Sequence, residues 1–245
     1  MATVVTKVKP TPKKPYTPVK AKAVTIALAF PYSEGVLVCA DTQMSYPTGT
    51  KYSDHKITAG KIEGCPCIFA FADQVGLASE MRTKIFRQIE RFIKETQASP
   101  ATDDLHAIVE ATMNEYGRLQ IDLPLELALA IYPRSEPPAI IHFDGKAVTV
   151  KTNEPVILGC GNDSLTRFLT DNLFNPAFEW EHALAFGCYV VKKAAQYVQG
   201  CGEPIEGVSL TKSGVKEVDD RNIEWGYSIT EWQELEMQKW LFKRI

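Results

Sequence analysis

Thr25-Ile-Ala-Leu-Ala-Phe30 and Val36-Leu-Val-Cys-Ala-Asp41 are the two stretches that decide how this chain folds. In the first, small residues alternate with large apolar ones, the period-two pattern of a strand buried on both faces. Pro31 to Gly35 interrupts the run, and the second stretch is again apolar, so the pair predicts a hairpin. Downstream lie a Gly/Pro/Tyr/Ser loop over 46–53, a short strand around Lys56–Ile62, and a turn at Gly64 leading into a buried strand, Cys65 to Ala72.

The period then changes. Leu77, Met81, Ile85, Ile89 and Phe92 recur every three or four residues among charges, which predicts an amphipathic helix. Pro100 and the cap-like Thr102-Asp103 introduce a second helix carrying Leu105, Ile108, Val109, Met113 and Tyr116. Strands resume over Leu125–Tyr132, Ala139–Phe143 and Lys146–Val150, the last two joined by the tight-turn pair Asp144-Gly145. Val156–Leu158 runs through Gly159-Cys160-Gly161 into a third helix, and a fourth is expected from about Trp180 to Val198. Strands over Gly207–Thr211 and Val215–Val218 follow, then a helix from about Thr230, with Trp225, Trp232 and Trp240 as packing anchors. Runs of strands separated by helix pairs do not fit a β-α-β-α alternation. They predict an α+β domain over 25–245, a four-layer αββα sandwich of two antiparallel sheets with helices on both outer faces.

Residues 1–24 differ from the rest. Six lysines (Lys7, Lys9, Lys13, Lys14, Lys20, Lys22) and four prolines occur there with no acid, the composition of a solvated arm, a removable leader or a docking arm. The whole chain has 27 basic and 30 acidic residues, so its net charge of −3 offers no electrostatic footprint for nucleic acid. No apolar run is long enough to span a bilayer, and six cysteines without a regular framework fit reduced thiols in the cytoplasm. Nucleotide-loop, zinc-helix and serine-elbow motifs are lacking, and no metal or cofactor is expected. Cys65 and Cys67 read as small core residues on one face of a strand. His55, His106, His142 and His182 are scattered and read as surface or hydrogen-bonded core side chains.

One constellation carries chemistry. A hairpin places the start of its first strand beside the end of its second, so Thr25 and Asp41, sixteen residues apart, should be neighbours. Lys56, in Ser53-Asp54-His55-Lys56-Ile57, joins them if its strand pairs alongside. A hydroxyl, a carboxylate and a cation clustered between sheets would form a nucleophilic site, the lysine lowering nearby pKa values and the carboxylate orienting it.

The same residues carry a resemblance. Thr25 to Phe30 with Glu34-Gly-Val-Leu-Val-Cys-Ala-Asp41-Thr-Gln43 resembles the opening of proteasome-type subunits of the N-terminal nucleophile (Ntn) hydrolases, including the bacterial protease that pairs with an AAA ATPase. Ser53 to Ile57 resembles the family's lysine segment, and Ile68-Phe-Ala70-Phe-Ala72 the strand before its first helix. Val156-Ile-Leu-Gly159-Cys160-Gly161 is similar to the turn before its third helix, and Pro204 to Gly214 to its late hairpin. The resemblance implies a threonine peptidase with Thr25 as nucleophile, Asp41 as orienting acid and Lys56 as the cation that lowers pKa. It further implies the Ala70 backbone N–H as an oxyanion donor and Cys160 in the auxiliary hydroxyl position. Residues 1–24 would be removed to free the Thr25 amine. A two-residue shift keeps strand parity and would put Ala23 in place of Thr25; the ungapped spacing to Asp41 favours Thr25. Also implied are peptide or unfolded-protein substrates, a homo-oligomeric ring and an AAA ATPase partner. A noncatalytic scaffold subunit of the same fold, retaining the arm, is the alternative, and an Ntn amidase acting on a small molecule is a third reading.

Overall fold

The computed structural model describes residues 25–45, 51–62, 65–73, 75–117, 125–133, 135–160 and 162–242. The arm at 1–24, the Ala23 alternative and residues 46–50 of the expected 46–53 loop lie outside them. Strands β1 (Ile26–Tyr32) and β2 (Gly35–Asp41) form the expected hairpin, with Phe30 opposite Leu37. A short pair follows, β3 (Gln43–Ser45) with β4 (Lys51–Ser53). The far end of the expected loop is thus a strand. Next come β5 (Ile57–Ile62), β6 (Cys65–Asp73), the helices α1 (Val75–Thr96) and α2 (Thr102–Gly117), and β7 (Leu125–Ile131). The remainder is β8 (Ala139–Phe143), β9 (Val148–Lys151), β10 (Val156–Gly159), α3 (Ser164–Leu173), α4 (Trp180–Tyr197), β11 (Ile205–Thr211), β12 (Gly214–Glu217) and α5 (Asp220–Phe242).

Two five-stranded antiparallel sheets result, in the orders β10-β1-β2-β11-β12 and β5-β6-β7-β8-β9. The alternation of side-chain size explains how they stack. In β1, Ile26, Leu28, Phe30 and Tyr32 pack in a cluster with α4 residues Leu184, Phe186 and Val191. Ala27 and Ala29 face the other way, into a cluster that also holds Ala70 and Ala72 of β6 and Ala128 and Ala130 of β7. Phe69, Phe71, Leu127 and Leu129 point from those same strands to Met81, Ile85, Ile89 and Val109 of α1 and α2. The aromatic bulk therefore sits between sheet and helix, whereas the layer between the sheets mixes alanines with Val, Ile and Leu side chains such as Val38, Ile68 and Leu158. Full burial of each large side chain contributes about 1.5–3 kcal/mol, so all three clusters contribute apolar stabilisation, and the alanines allow close approach of the sheets.

Several local expectations change. Pro31 lies within β1 and the turn is Ser33-Glu34; β10 pairs β1 only as far as Ala29, so no neighbour on that side needs a Pro31 N–H. The last helix begins at Asp220 rather than near Thr230, because the Asp219 side chain accepts from the Asn222 N–H (2.8 Å) and caps it. Trp225 and Trp232 are 39% and 62% exposed and are not packing anchors; the Trp240 side chain lies outside the described residues. Cys65 and Cys67 are buried against α1 and α2 as expected. His142 departs from expectation: its Nε2 is buried with no hydrogen-bond partner, and burial holds its pKa down.

Candidate active site

At one end of the sandwich, β1 starts, β2 ends and β10 ends. Ile26 pairs with Gly159 of β10, and Asp41 pairs with Ile205 of β11. Thr25 immediately precedes β1 and is 2% exposed. Its Oγ1 donates to Asp41 Oδ1 at 3.0 Å, so the hairpin brings the two together. The same oxygen accepts the Ile26 N–H at 2.9 Å, and Oδ2 accepts the Gly202 N–H at 2.9 Å.

Lys56 completes the cluster by a different route from the one expected. Its strand, β5, pairs with β6 in the second sheet and not alongside β2. Lys56 lies just before β5, and its Nζ reaches across the gap to Asp41 Oδ1 (2.5 Å) and the Gln43 carbonyl (2.5 Å). Both side chains are fully buried. Burial pushes the Lys56 ammonium below its ordinary pKa, and the charge and hydrogen bond of Asp41 oppose that shift.

Cys160, in the turn after β10, touches the Thr25 main chain twice. The Thr25 N–H donates to its Sγ, and its thiol donates to the Thr25 carbonyl, each at 3.1 Å. Gly159 permits this contact: its φ is +80°, and an added Cβ would fall 2.4 Å from the Thr25 carbonyl oxygen. Ala70 is the expected member that no described hydrogen bond ties to the cluster. It sits between Ile57 and Ala128 in its sheet. Because the next N–H, that of Phe71, donates to the Lys56 carbonyl, alternation turns the Ala70 N–H toward β7.

The structure adds three residues that sequence reasoning missed. Glu206 of β11 accepts the N–H groups of Lys56 (2.7 Å) and Ile57 (3.1 Å) on Oε1 and meets His55 Nδ1 (2.6 Å) with Oε2. Its signal was parity: Val208 and Leu210 of the same strand face the other sheet, so Glu206 is a carboxylate on an inward face. Gly202 supplies an N–H to Asp41, and Cys201 places its Sγ 3.5 Å from that of Cys160. Neither carries a local sequence signal, since both lie in an irregular segment beyond α4. Among the described residues, no group of three or more His, Cys, Asp or Glu side chains is placed to hold a metal ion, and no helix is long and apolar enough to cross a membrane. No family model matches the chain, and a search of curated proteins finds no significant match.

Proposed function

We propose that this chain is a proteasome-like subunit of the Ntn-hydrolase type, a threonine peptidase whose nucleophile is Thr25. The observation that carries the reading is the convergence of Thr25 Oγ1 and Lys56 Nζ on one buried carboxylate oxygen of Asp41. Around it, two antiparallel sheets share a core and bear helices on their outer faces, an arrangement compatible with the αββα sandwich of that family. The Lys56 charge favours the alkoxide form of the nearby hydroxyl, and Asp41 holds both groups in place. The Thr25 nitrogen is an amide while residue 24 is attached, and an amide is no base. Cleavage before Thr25 would convert it to an α-amine, whose ordinary pKa of about 7.7–8.0 suits a proton acceptor at neutral pH. The hydroxyl would then attack a substrate peptide carbonyl, its proton passing to that amine. Substrates would be peptides or unfolded proteins, confined in a homo-oligomeric ring in the cytoplasm and supplied by an AAA ATPase, with neither nucleic acid nor membrane as partner.

A second reading, the noncatalytic scaffold, has its own support. Thr25 is 2% exposed and its nitrogen is engaged by Cys160. An uncleaved, permanently inert subunit would keep the same contacts. The intact mass of the mature protein separates the two. The enzyme should lack residues 1–24, and a peptide epoxyketone should add covalently to Thr25 and fail to add in Thr25→Ala. A stable full-length species that resists the electrophile overturns the peptidase reading in favour of the scaffold.

A further inference from the structure

Both cysteines beside Thr25 are flanked by glycine on each side, in Gly159-Cys160-Gly161 and Gly200-Cys201-Gly202. Their sulfurs are 3.5 Å apart. A disulfide requires about 2.05 Å, so closure needs a shift of only part of that separation. Cys201, between α4 and β11, lies outside the helices and strands that would hold it in place, and glycine on both sides restricts its backbone least. Cys201 is buried, as are Cys39, Cys65, Cys67 and Cys188, whereas Cys160 is partly exposed and open to oxidant. We propose that Cys160 and Cys201 form a reversible disulfide, a modification site that reports oxidant and acts on the Thr25 cluster.

Cys160 is the attacking group. Donation from the Cys201 thiol, aided by the Thr25 N–H and the Lys56 charge, outweighs burial and the Asp41 charge and holds the Cys160 thiol below its ordinary pKa; Cys201 is displaced upward. With hydrogen peroxide as oxidant, the Cys160 thiolate attacks one peroxide oxygen. An S–O bond forms, the O–O bond breaks, and the departing hydroxide takes a proton to become water. Cys201 then gives up its proton and attacks the Cys160 sulfenic sulfur; the S–S bond forms as S–O breaks, releasing a second water. Two thiols are oxidised and one peroxide is reduced. The disulfide removes the Cys160 proton that Thr25 O accepts, and it ties the β10 turn to the segment whose Gly202 N–H holds Asp41. A dithiol reverses it.

The bond itself is independent of the peptidase reading; only its effect on turnover rests on that reading. The test is hydrogen peroxide treatment of the full chain, followed by intact mass and non-reducing peptide mapping. The expected product is lighter by two hydrogens, carries a peptide joining Cys160 to Cys201, and reverts with dithiothreitol. In Cys201→Ser, whose hydroxyl can still donate to the Cys160 sulfur but cannot form a disulfide, Cys160 instead gains two or three oxygens, at least about tenfold faster than in the wild type, where the resolving thiol intercepts the sulfenic acid. Dimedone should trap that acid in Cys201→Ala as well, should the serine variant fold poorly. Absence of the joined peptide, or overoxidation of Cys160 at equal rates with and without Cys201, overturns the proposal. If the joined peptide forms but neither redox state cleaves peptides, the thiol pair stands and the peptidase reading falls. If the protein cleaves peptides and the pair does not join, the reverse holds.

Discussion

Asp41 and Lys56 are the most consequential pair at the scale of single residues, because both are fully buried. Breaking such a pair by removing one partner costs about 3–5 kcal/mol, since an uncompensated charge stays in the interior. Asp41 would keep three donors after loss of the lysine, those of Thr25 Oγ1, Ile26 N and Gly202 N, which places the expectation at the lower end. Lys56→Ala should therefore destabilise the fold by about 3 kcal/mol, seen as a lower urea midpoint. Lys56→Met, which retains the buried stem, should cost less. Equal midpoints for Lys56→Ala and wild type would mean that the pair contributes nothing to stability. Under the proposed function, both variants should also lose turnover.

Among elements, the end of β10 and the start of β5 are held by features that substitution can probe. Gly159→Ala would place a Cβ 2.4 Å from the Thr25 carbonyl at a φ of +80°. Left-handed strain and overpacking together should cost about 2–4 kcal/mol, and a thermal melt close to that of wild type would count against so tight an approach. At the start of β5, the hydrogen bond and charge of Glu206 raise the pKa of His55. The folded state then binds the proton more tightly than the unfolded chain. The resulting stabilisation is fully present below the unfolded value of about 6.5 and is lost as pH rises through the raised folded value. His55 is 82% exposed, so solvent screening keeps the effect within about 1 kcal/mol. Urea midpoints across this range should fall with pH in the wild type, and His55→Gln should remove that component of the slope.

For the whole molecule, the decisive feature is the unequal filling of its layers. Ala27, Ala29, Ala70, Ala72, Ala128 and Ala130 lie between the sheets among Val, Ile and Leu side chains, while the buried Phe and Met side chains lie under the helices. Besides Asp41, two carboxylates join the sheets at the site end. Glu206 of one sheet accepts the first N–H groups of the other, and Glu126 of β7 accepts the Gly159 N–H across the gap at 2.8 Å. Ala130→Leu adds bulk where the sheets meet and should destabilise by about 1–3 kcal/mol; a conservative exchange in an outer layer, such as Ile85→Leu, should cost less than about 1.5 kcal/mol. Denaturation of the two variants side by side checks this, and a reversed order would contradict the assignment of the layers.

Local side-chain patterns were enough to place most of the elements and the faces they bury. Residues such as Thr25 to Phe30 carry their period in adjacent side chains, and a hairpin's geometry makes Thr25 and Asp41 neighbours once β1 and β2 are recognised. Packing of the whole chain settled that β5 belongs to the second sheet, that Lys56 crosses between sheets, and that Glu206, Cys201 and Gly202 meet residues 41 to 161 positions away. It also decided that the Ala70 N–H turns toward β7, that α5 begins at Asp220, and that Trp225 and Trp232 face outward. Periodicity records which face of a strand or helix is apolar. It holds no record of which other face comes to lie against it, because that depends on how whole layers pack.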